Sequence, residues 1–501
     1  MLPDDRHNRA LIAQVHPAGW TNPKPTGRYN LVVLGAGTAG LVSAVGAASL
    51  GATVAIVERH LLGGDCLNVG CVPSKGLLSA ARIAAAQRGG SAFGVSGAGD
   101  VRVDFAAVME RMRRLRAGLA PRDSAARLQR LGIDVFFGGA RFVAADAVGV
   151  GHDTLRFAKC VIATGTRAAV PSISGLDITE FVTNETVFAL TAQPRRLIVI
   201  GGGPIGCEMA QAFRRFGSEV TIIGRDRRLL PADDVDASAI LERTFLREGI
   251  TLALGATIVR VGPGVAPSTR VVVYETDGTQ QEIVGDELLV ATGRAPNVEG
   301  LDLAVAGISA DAGGVVVDDH LRTANRRVYA AGDICSRYKF THAAEAMARI
   351  VLHNALFFGR KKAGALTMPW ATYTDPEVAH VGLRAAEAMR RGSEVVTLTV
   401  PMTEIDRAVL KSETEGFARV HVQRRTGTIL GATMVASHAG EMIGEMSLAI
   451  TAGLRAGMLS STIHPYPTQS EAWKKLGDAW NRTRLTPRVR AISRRLMGWR
   501  R

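Results

Sequence analysis

Residues 31–58 of the chain, LVVLGAGTAGLVSAVGAASLGATVAIVE, decide its fold. Leu31 to Val57 is 27 residues without a charge, long enough on length alone to span a bilayer. The composition argues otherwise. Gly35, Gly37, Gly40, Gly46 and Gly51 punctuate the run. The apolar residues divide into a short β-branched stretch, a Gly-rich turn, an Ala-rich stretch and a second β-branched stretch, Thr53 to Val57, which is the rhythm of strand, helix, strand. In that setting Gly35, Gly37 and Gly40 have GxGxxG spacing. They permit a tight turn, approach of the backbone to a pyrophosphate and close packing of the helix, whose N-terminus offers amides and a positive dipole. Glu58 then stands where a carboxylate accepts hydrogen bonds from ribose hydroxyls, which disfavours a 2'-phosphate.

The pattern recurs. LIVIGGGPIG, residues 197–206, places Gly201, Gly203 and Gly206 at the same spacing, again between an apolar run and a helical stretch. One such motif is weak evidence; two in full strand-turn-helix-strand context predict two dinucleotide sites. After Val220 to Ile223 comes Gly224 and then Arg225, Asp226, Arg227 and Arg228, with no acid in the first position. Guanidinium groups such as Arg225 and Arg227 pair bidentately with a 2'-phosphate, so this site reads as one for NADPH rather than NADH. The bland alternative is a solvated turn rich in arginine.

Length and composition agree with this class. A chain of 501 residues suggests about three domains, which excludes a single small module. Hydrophobic residues at 47% and charged residues at 21% exclude disorder and a collagen-like repeat. The net charge of +14 is concentrated at the end: Lys474 to Arg501 holds ten basic residues and one acid, +9, leaving +5 elsewhere. No basic stripe interleaved with aromatics accompanies the motifs, so nucleic-acid binding by the main body has little support. Met1 to Asn30 carries Asp4, Asp5, Arg6 and Arg9 and no apolar central run, which reads as no signal peptide and a cytoplasmic protein. Five cysteines in a chain this long form no disulfide scaffold and point to a reducing compartment.

Two of those cysteines follow the first motif directly, in GGDCLNVGCVPSK, residues 63–75. Cys66 and Cys71, separated by four residues with Gly70 before the second, can close a small disulfide ring; no further Cys or His cluster completes a tetrahedral metal site. Gly76 to Ala86 reads as a helix, so Cys71 is expected near its N-terminus, where the dipole stabilises a thiolate. Cys160, Cys207 and Cys335, isolated among apolar neighbours, read as buried small hydrophobes.

These residues resemble the class I pyridine nucleotide-disulfide oxidoreductases, the flavoproteins that include glutathione reductase, dihydrolipoamide dehydrogenase and mercuric reductase. The resemblance runs from about Tyr29 to Lys475 and includes Ala163-Thr164-Gly165, Glu208 behind the second glycine motif, Ala291-Thr-Gly293-Arg294 and Val328-Tyr-Ala-Ala-Gly332-Asp333. It implies FAD on Gly35, Gly37, Gly40, Glu58, Gly64, Thr164, Gly165, Gly332 and Asp333, with Asp333 on the flavin ribityl chain. It also implies NADPH on Gly201, Gly203, Gly206, Arg225, Arg227 and Gly293. Cys71 becomes the thiolate against the flavin, Cys66 the outer thiol that attacks substrate, and Lys75 a partner of Glu208 near flavin N5. The implied fold is α/β: two Rossmann-like dinucleotide-binding domains and a C-terminal α+β dimerisation domain. Its expected parts are an N-terminal extension (1–28), an FAD-binding domain in two pieces (29–180 and 300–368), an inserted NAD(P)H-binding domain (181–299), an interface domain (369–475) and a basic tail (476–501). The family also implies a homodimer in which C-terminal residues of one subunit complete the other's site.

The C-terminal pattern departs from the dithiol enzymes of the family, which end in His-Pro-Thr-x-x-Glu. Here the run is His464-Pro-Tyr466-Pro-Thr468-Gln-Ser-Glu471, and aligning Pro467-Thr468 and Glu471 puts Tyr466 at the base position, with His464, two residues upstream, as the alternative acid/base. A phenol, with an ordinary pKa of about 10, is a poor proton acceptor near neutrality. A tyrosine there resembles mercuric reductase, whose metal-thiolate substrate needs no such base, and Cys66 and Cys71 suit a soft metal ion as substrate. The cysteine pair that mercuric reductases carry near their C-terminus has no counterpart after Cys335. The reading is thus a mercuric reductase-like enzyme passing electrons from NADPH through FAD to a soft metal ion or small disulfide. The alternatives are a diaphorase acting on quinones and a flavin-bound redox sensor. In the tail, Val489, Ile492, Leu496 and Trp499 recur at helical spacing among arginines, which predicts a helix suited to peripheral contact with an anionic membrane.

Overall fold

In the computed structural model, which describes residues 1–97, 101–266, 268–357 and 359–500, the first charge-free run becomes strand β1 (Arg28–Leu34), helix α2 (Thr38–Ser49) and strand β2 (Val54–Glu58). Ahead of it lies helix α1 (Arg6–Val15), whose Asp5 cap accepts from the amides of His7 and Asn8 and which buries Leu11 and Val15 completely. Helices α3 (Gly64–Asn68), α4 (Cys71–Arg88) and α5 (Phe105–Leu119) follow. Strands β3 (Ile133–Phe137), β4 (Ala140–Ala144), β5 (Ala147–Val150) and β6 (Asp153–Ile162) complete most of the first sheet.

The second repeat gives β7 (Arg196–Ile200), α6 (Pro204–Phe216) and β8 (Glu219–Gly224), with β9 (Thr251–Leu254) and β10 (Glu287–Val290) beside them. Strand β11 (Val328–Ala330) and helix α7 (Thr341–Leu356) return to the first sheet. That sheet has the order β3-β2-β1-β6-β5-β4, with β11 also on β6; the pairs among β1, β2, β3, β6 and β11 are parallel. The second sheet, β9-β8-β7-β10, is parallel throughout. Both have near-continuous apolar strands because helices cover the faces of parallel sheets. Both Gly-rich turns therefore sit at the carboxyl ends of their first strands, where open α/β sheets bind ligands.

The chain divides into two compact units: residues 1–225 with 249–366, and residues 226–248 with 367–501. The second contains the helix Val235–Glu248 and an antiparallel sheet of β12 (Pro369–Thr372), β13 (Glu377–Gly382), β14 (Val395–Pro401), β15 (Phe417–Gln423) and β16 (Ile429–Ala436), in the order β12-β13-β16-β15-β14. Helices α8 (Ala439–Thr451) and α9 (Glu471–Thr483) close its core around Met434, Met446 and Trp473. The tail forms helix α10 (Pro487–Trp499), which buries no residue. Arg501 of the expected tail lies outside the described residues. No described helix is long and apolar enough to cross a membrane.

Two expectations need correction. Helix α4 begins at Cys71, five residues before the expected start at Gly76, because Pro73 falls in the first turn, where its missing amide costs nothing. Cys335 is only partly buried, unlike Cys160 and Cys207, since it follows β11 in the loop after Asp333 rather than packing inside an element.

Candidate active site

The two glycine motifs are built alike. A Cβ on Gly35 would collide with the Ala163 carbonyl, and one on Gly201 with the Ala291 carbonyl. On Gly40 or Gly206 it would strike the carbonyl of Gly35 or Gly201, so the first and third glycines serve the protein's own packing. The middle glycines do not: around a Cβ on Gly203 nothing lies within 4 Å, and on Gly37 the nearest atom is Gly64 Cα at 3.8 Å. Space kept clear beside a backbone is what a pyrophosphate requires. Helices α2 and α6 also start without a side-chain cap, leaving their first amides available to phosphate oxygens. FAD and a nicotinamide dinucleotide fit these cradles.

At the first cradle Glu58 is held by two amides: Oε2 accepts from Ala36 N at 2.7 Å and Oε1 from His60 N at 2.8 Å. Burial pushes its carboxyl up while those amides hold it down. Thr164 Oγ1 donates to the Asn297 carbonyl at 2.9 Å, and Gly165 and Gly293 both have left-handed backbone with open space around a Cβ. Asp333 accepts from Thr166 Oγ1 at 2.9 Å and lies 3.7 Å from Arg294 Nε, with Gly332 packed between Ala39 and Ala344. Gly224, which ends β8, is buried, and Arg225 and Arg227, which follow it in sequence, are exposed.

The thiols meet at the junction of α3 and α4. Cys66 is carried by α3, and Cys71 is the first residue of α4, exposed and aligned with that helix's positive end. Both are free thiols. The Cys66 thiol donates to Cys71, and this bond, with Thr341 and the Lys75 ammonium, lowers Cys71 to about 6. The same bond, together with burial, pushes Cys66 up. The pair is thus a thiol facing a thiolate, with one proton between them. Thr341 Oγ1 lies 3.4 Å from Cys71 Sγ, at the head of α7. One turn along α4, Lys75 Nζ donates to Glu208 Oε2 at 2.9 Å and Oε1 at 3.1 Å; the Glu208 side chain, on α6, is 6% exposed. Asp65, next to Cys66, pairs with Arg294. The sequence carries no signal for Thr341, for Asp65 or for the site role of Arg294; Thr341 lies 270 residues from Cys71 with no motif linking them.

The C-terminal candidates lie in the second unit. His464 is nearly buried, with Nε2 3.0 Å from Glu445 Oε1 and Nδ1 3.2 Å from the Thr462 carbonyl. Tyr466 is 71% exposed and donates to Asp406 Oδ2 at 2.8 Å, a bond that raises its pKa further. Glu471 opens α9, and its Oε2 is buried without a hydrogen-bond partner among the described residues. No described trio of His, Cys, Asp or Glu forms a metal site.

Comparison with known proteins places this geometry. The pyridine nucleotide-disulphide oxidoreductase profile matches residues 29–348, and the profile of that family's dimerisation domain matches residues 368–476. A mercuric reductase of Lysinibacillus sphaericus is 35% identical over 448 residues, 89% of this chain and 81% of that one. A dihydrolipoyl dehydrogenase of Bacillus subtilis is 33% identical over 450 residues, 88% of this chain and 94% of that one. The Cu(II) complex of the HOCl-induced flavoprotein disulfide reductase RclA of Escherichia coli superimposes with a TM-score of 0.79 at 28% identity, covering 89% of this chain and 98% of that one.

Proposed function

The chain belongs to the pyridine nucleotide-disulphide oxidoreductase family, and from that premise we propose that it carries electrons from NADPH through FAD to the Cys66–Cys71 pair and on to a soft metal ion. The observation that supports this most is the thiol-thiolate pair at the head of α4, beside the Lys75–Glu208 ion pair. Bound FAD supplies a two-electron relay between nicotinamide and disulfide. The chain's own residues do the rest. The open glycine cradles take the pyrophosphates, Glu58 takes the adenosine ribose, Asp333 the ribityl chain, and Arg225 and Arg227 the 2'-phosphate. Lys75, charged and held by Glu208, biases Cys71 toward thiolate.

Proton handling favours a metal over a disulfide substrate. Cys66 is the protonated member, so attack on a disulfide needs a base, and a leaving thiol needs an acid. Tyr466, donating to Asp406, is no base near neutrality, and His464 is engaged by Glu445. A soft cation displaces the thiol proton on binding and needs neither group. The balanced reaction for mercury takes NADPH and Hg(II) to NADP+, H+ and Hg(0). The mercuric reductase relatives and the copper complex of RclA support the same substrate class. A homodimer is proposed from the match to the dimerisation domain.

An acceptor panel tests the reading: Hg(II), Cu(II), oxidised glutathione, lipoamide and quinones, with NADPH and with NADH. Metal-dependent NADPH oxidation lost on alkylation of the cysteines is expected. Quinone reduction that survives alkylation identifies a diaphorase, and no steady turnover with any acceptor leaves a redox sensor.

A peripheral membrane contact is proposed for the tail. Helix α10 leaves Val489, Ile492, Leu496 and Trp499 between 43% and 89% exposed, among five arginines and no acid from Arg488 to Arg500. Its charge suits an anionic lipid surface. The full chain should sediment with phosphatidylserine vesicles at low salt and release at high salt, whereas a chain ending at Thr486 should stay in the supernatant with its activity intact. Equal behaviour of the two overturns it.

A further inference from the structure

We infer that helix α1 and Arg116 form a latch that sets the dithiol-disulfide equilibrium of Cys66 and Cys71, with Asn8 and Arg116 as positioning residues. The inference rests on the reading that these cysteines cycle between the two states. Arg116, on α5, is 2% exposed, and burial lowers it only to about 10, so at neutral pH it is a buried cation. Its two hydrogen bonds go to neutral oxygens: Nη1 donates to the Asn68 carbonyl at 2.5 Å, and Nη2 to Asn8 Oδ1 at 2.7 Å. Burying a guanidinium on such partners is costly unless the environment holds them rigidly.

Both partners matter to the redox loop. Asn68 ends α3, midway between the cysteines, and its carbonyl carries the negative end of that helix dipole. Its Nδ2 donates to the carbonyls of Leu62 at 3.0 Å and Gly64 at 2.8 Å, closing the loop on itself. Asn8 lies on α1, fixed through Nδ2 to the Pro3 carbonyl at 2.7 Å and through its amide to Asp5 Oδ1 at 2.8 Å, while Asp5 pairs with Arg113. The far end of α1 grips the same loop, since Leu62 N donates to the Val15 carbonyl at 3.1 Å and His16 contacts the His60 carbonyl. Residues 60–68 are thus held from one side by α1 directly and from the other by α1 through Arg116.

Closing the ring from the thiol–thiolate pair forms one S–S bond and releases one proton and two electrons to an oxidant, and it requires the sulfurs to approach about 2 Å in restricted geometry. A loop held in place keeps one thiol at high effective concentration for the other. Loosening it should favour the dithiol. The test equilibrates the FAD-loaded full chain with oxidised and reduced dithiothreitol, whose disulfide takes up the two electrons with one proton from the pair and one from water, then traps free thiols by alkylation. Asn8→Ala and Arg116→Met should shift the equilibrium five- to tenfold toward the dithiol, about 20 to 30 mV for a two-electron couple. Asn8→Asp keeps an acceptor for Arg116 and should stay within twofold of wild type. If Arg116→Met does not fold, the Asn8 variants decide. A lower melting temperature for Asn8→Ala with an unchanged equilibrium overturns the latch, as does an equal shift in Asn8→Asp. Failure of the wild-type chain to form the Cys66–Cys71 bond at any ratio removes the redox reading itself.

Discussion

The two dinucleotide cradles share one glycine framework and diverge where their second strands end. Each spends two glycines on its own packing and keeps a third clear of neighbours. At the end of the second strand the first cradle has Glu58, pinned by the amides of Ala36 and His60, whereas the second has buried Gly224 followed by exposed Arg225. In the function proposed above, the shared glycine framework serves both pyrophosphates, and the residue at the strand end distinguishes the two adenosines.

The largest effect should come from glycines that serve packing. Gly40→Ala or Gly206→Ala drives a Cβ into a carbonyl across the helix-strand contact and should cost about 3 kcal/mol or more, read as a fall in the denaturation midpoint. If either is tolerated without loss, the shared-backbone half of the comparison fails.

Next come the arginines. Changing Arg225 and Arg227 together to Ala should cost NADPH about 1.5 to 3 kcal/mol in kcat/KM per charged hydrogen bond lost, with NADH nearly unchanged. Equal losses for both coenzymes would show that the arginines only support the turn.

Smallest in stability is Gly203→Ala, which meets nothing within 4 Å and should alter unfolding by no more than about 0.5 kcal/mol. Its effect should appear instead as weaker binding of both NADPH and NADH. A stability loss comparable to that of Gly206→Ala would erase the distinction between packing glycines and the clear one.

The cradles were legible because glycine spacing, β-branched runs and the residue after the second strand are local signals. The head of α4 was misplaced for a local reason too: Val72 and Pro73 look unhelical in sequence, yet a proline in the first turn is compatible with a helix beginning at Cys71. What escaped was non-local. Residues 1–28 read as an extension, although Leu11 and Val15, four apart behind the Asp5 cap, bury one helix face completely. Arg116 reads as one more basic residue of α5 until Asn8 and Asn68 converge on it. Thr341 reaches Cys71 only because α7 returns to the first sheet after 270 residues. The tail helix is legible in its periodicity, whereas its lack of buried residues is not.

The central claim is that Cys71 is the thiolate facing the flavin and Cys66 its protonated partner. Absorbance of the FAD-loaded chain at long wavelength tests it most directly. Cys66→Ser leaves Cys71 unpaired and should show a thiolate-flavin charge-transfer band without any reductant. Cys71, lowered to about 6 in the wild-type pair, is the ionised form above that pH and is protonated below it. In the two-electron-reduced wild-type chain the band should therefore fade as the pH drops through about 6. A band in Cys71→Ser and none in Cys66→Ser would reverse the roles of the two cysteines and contradict the account.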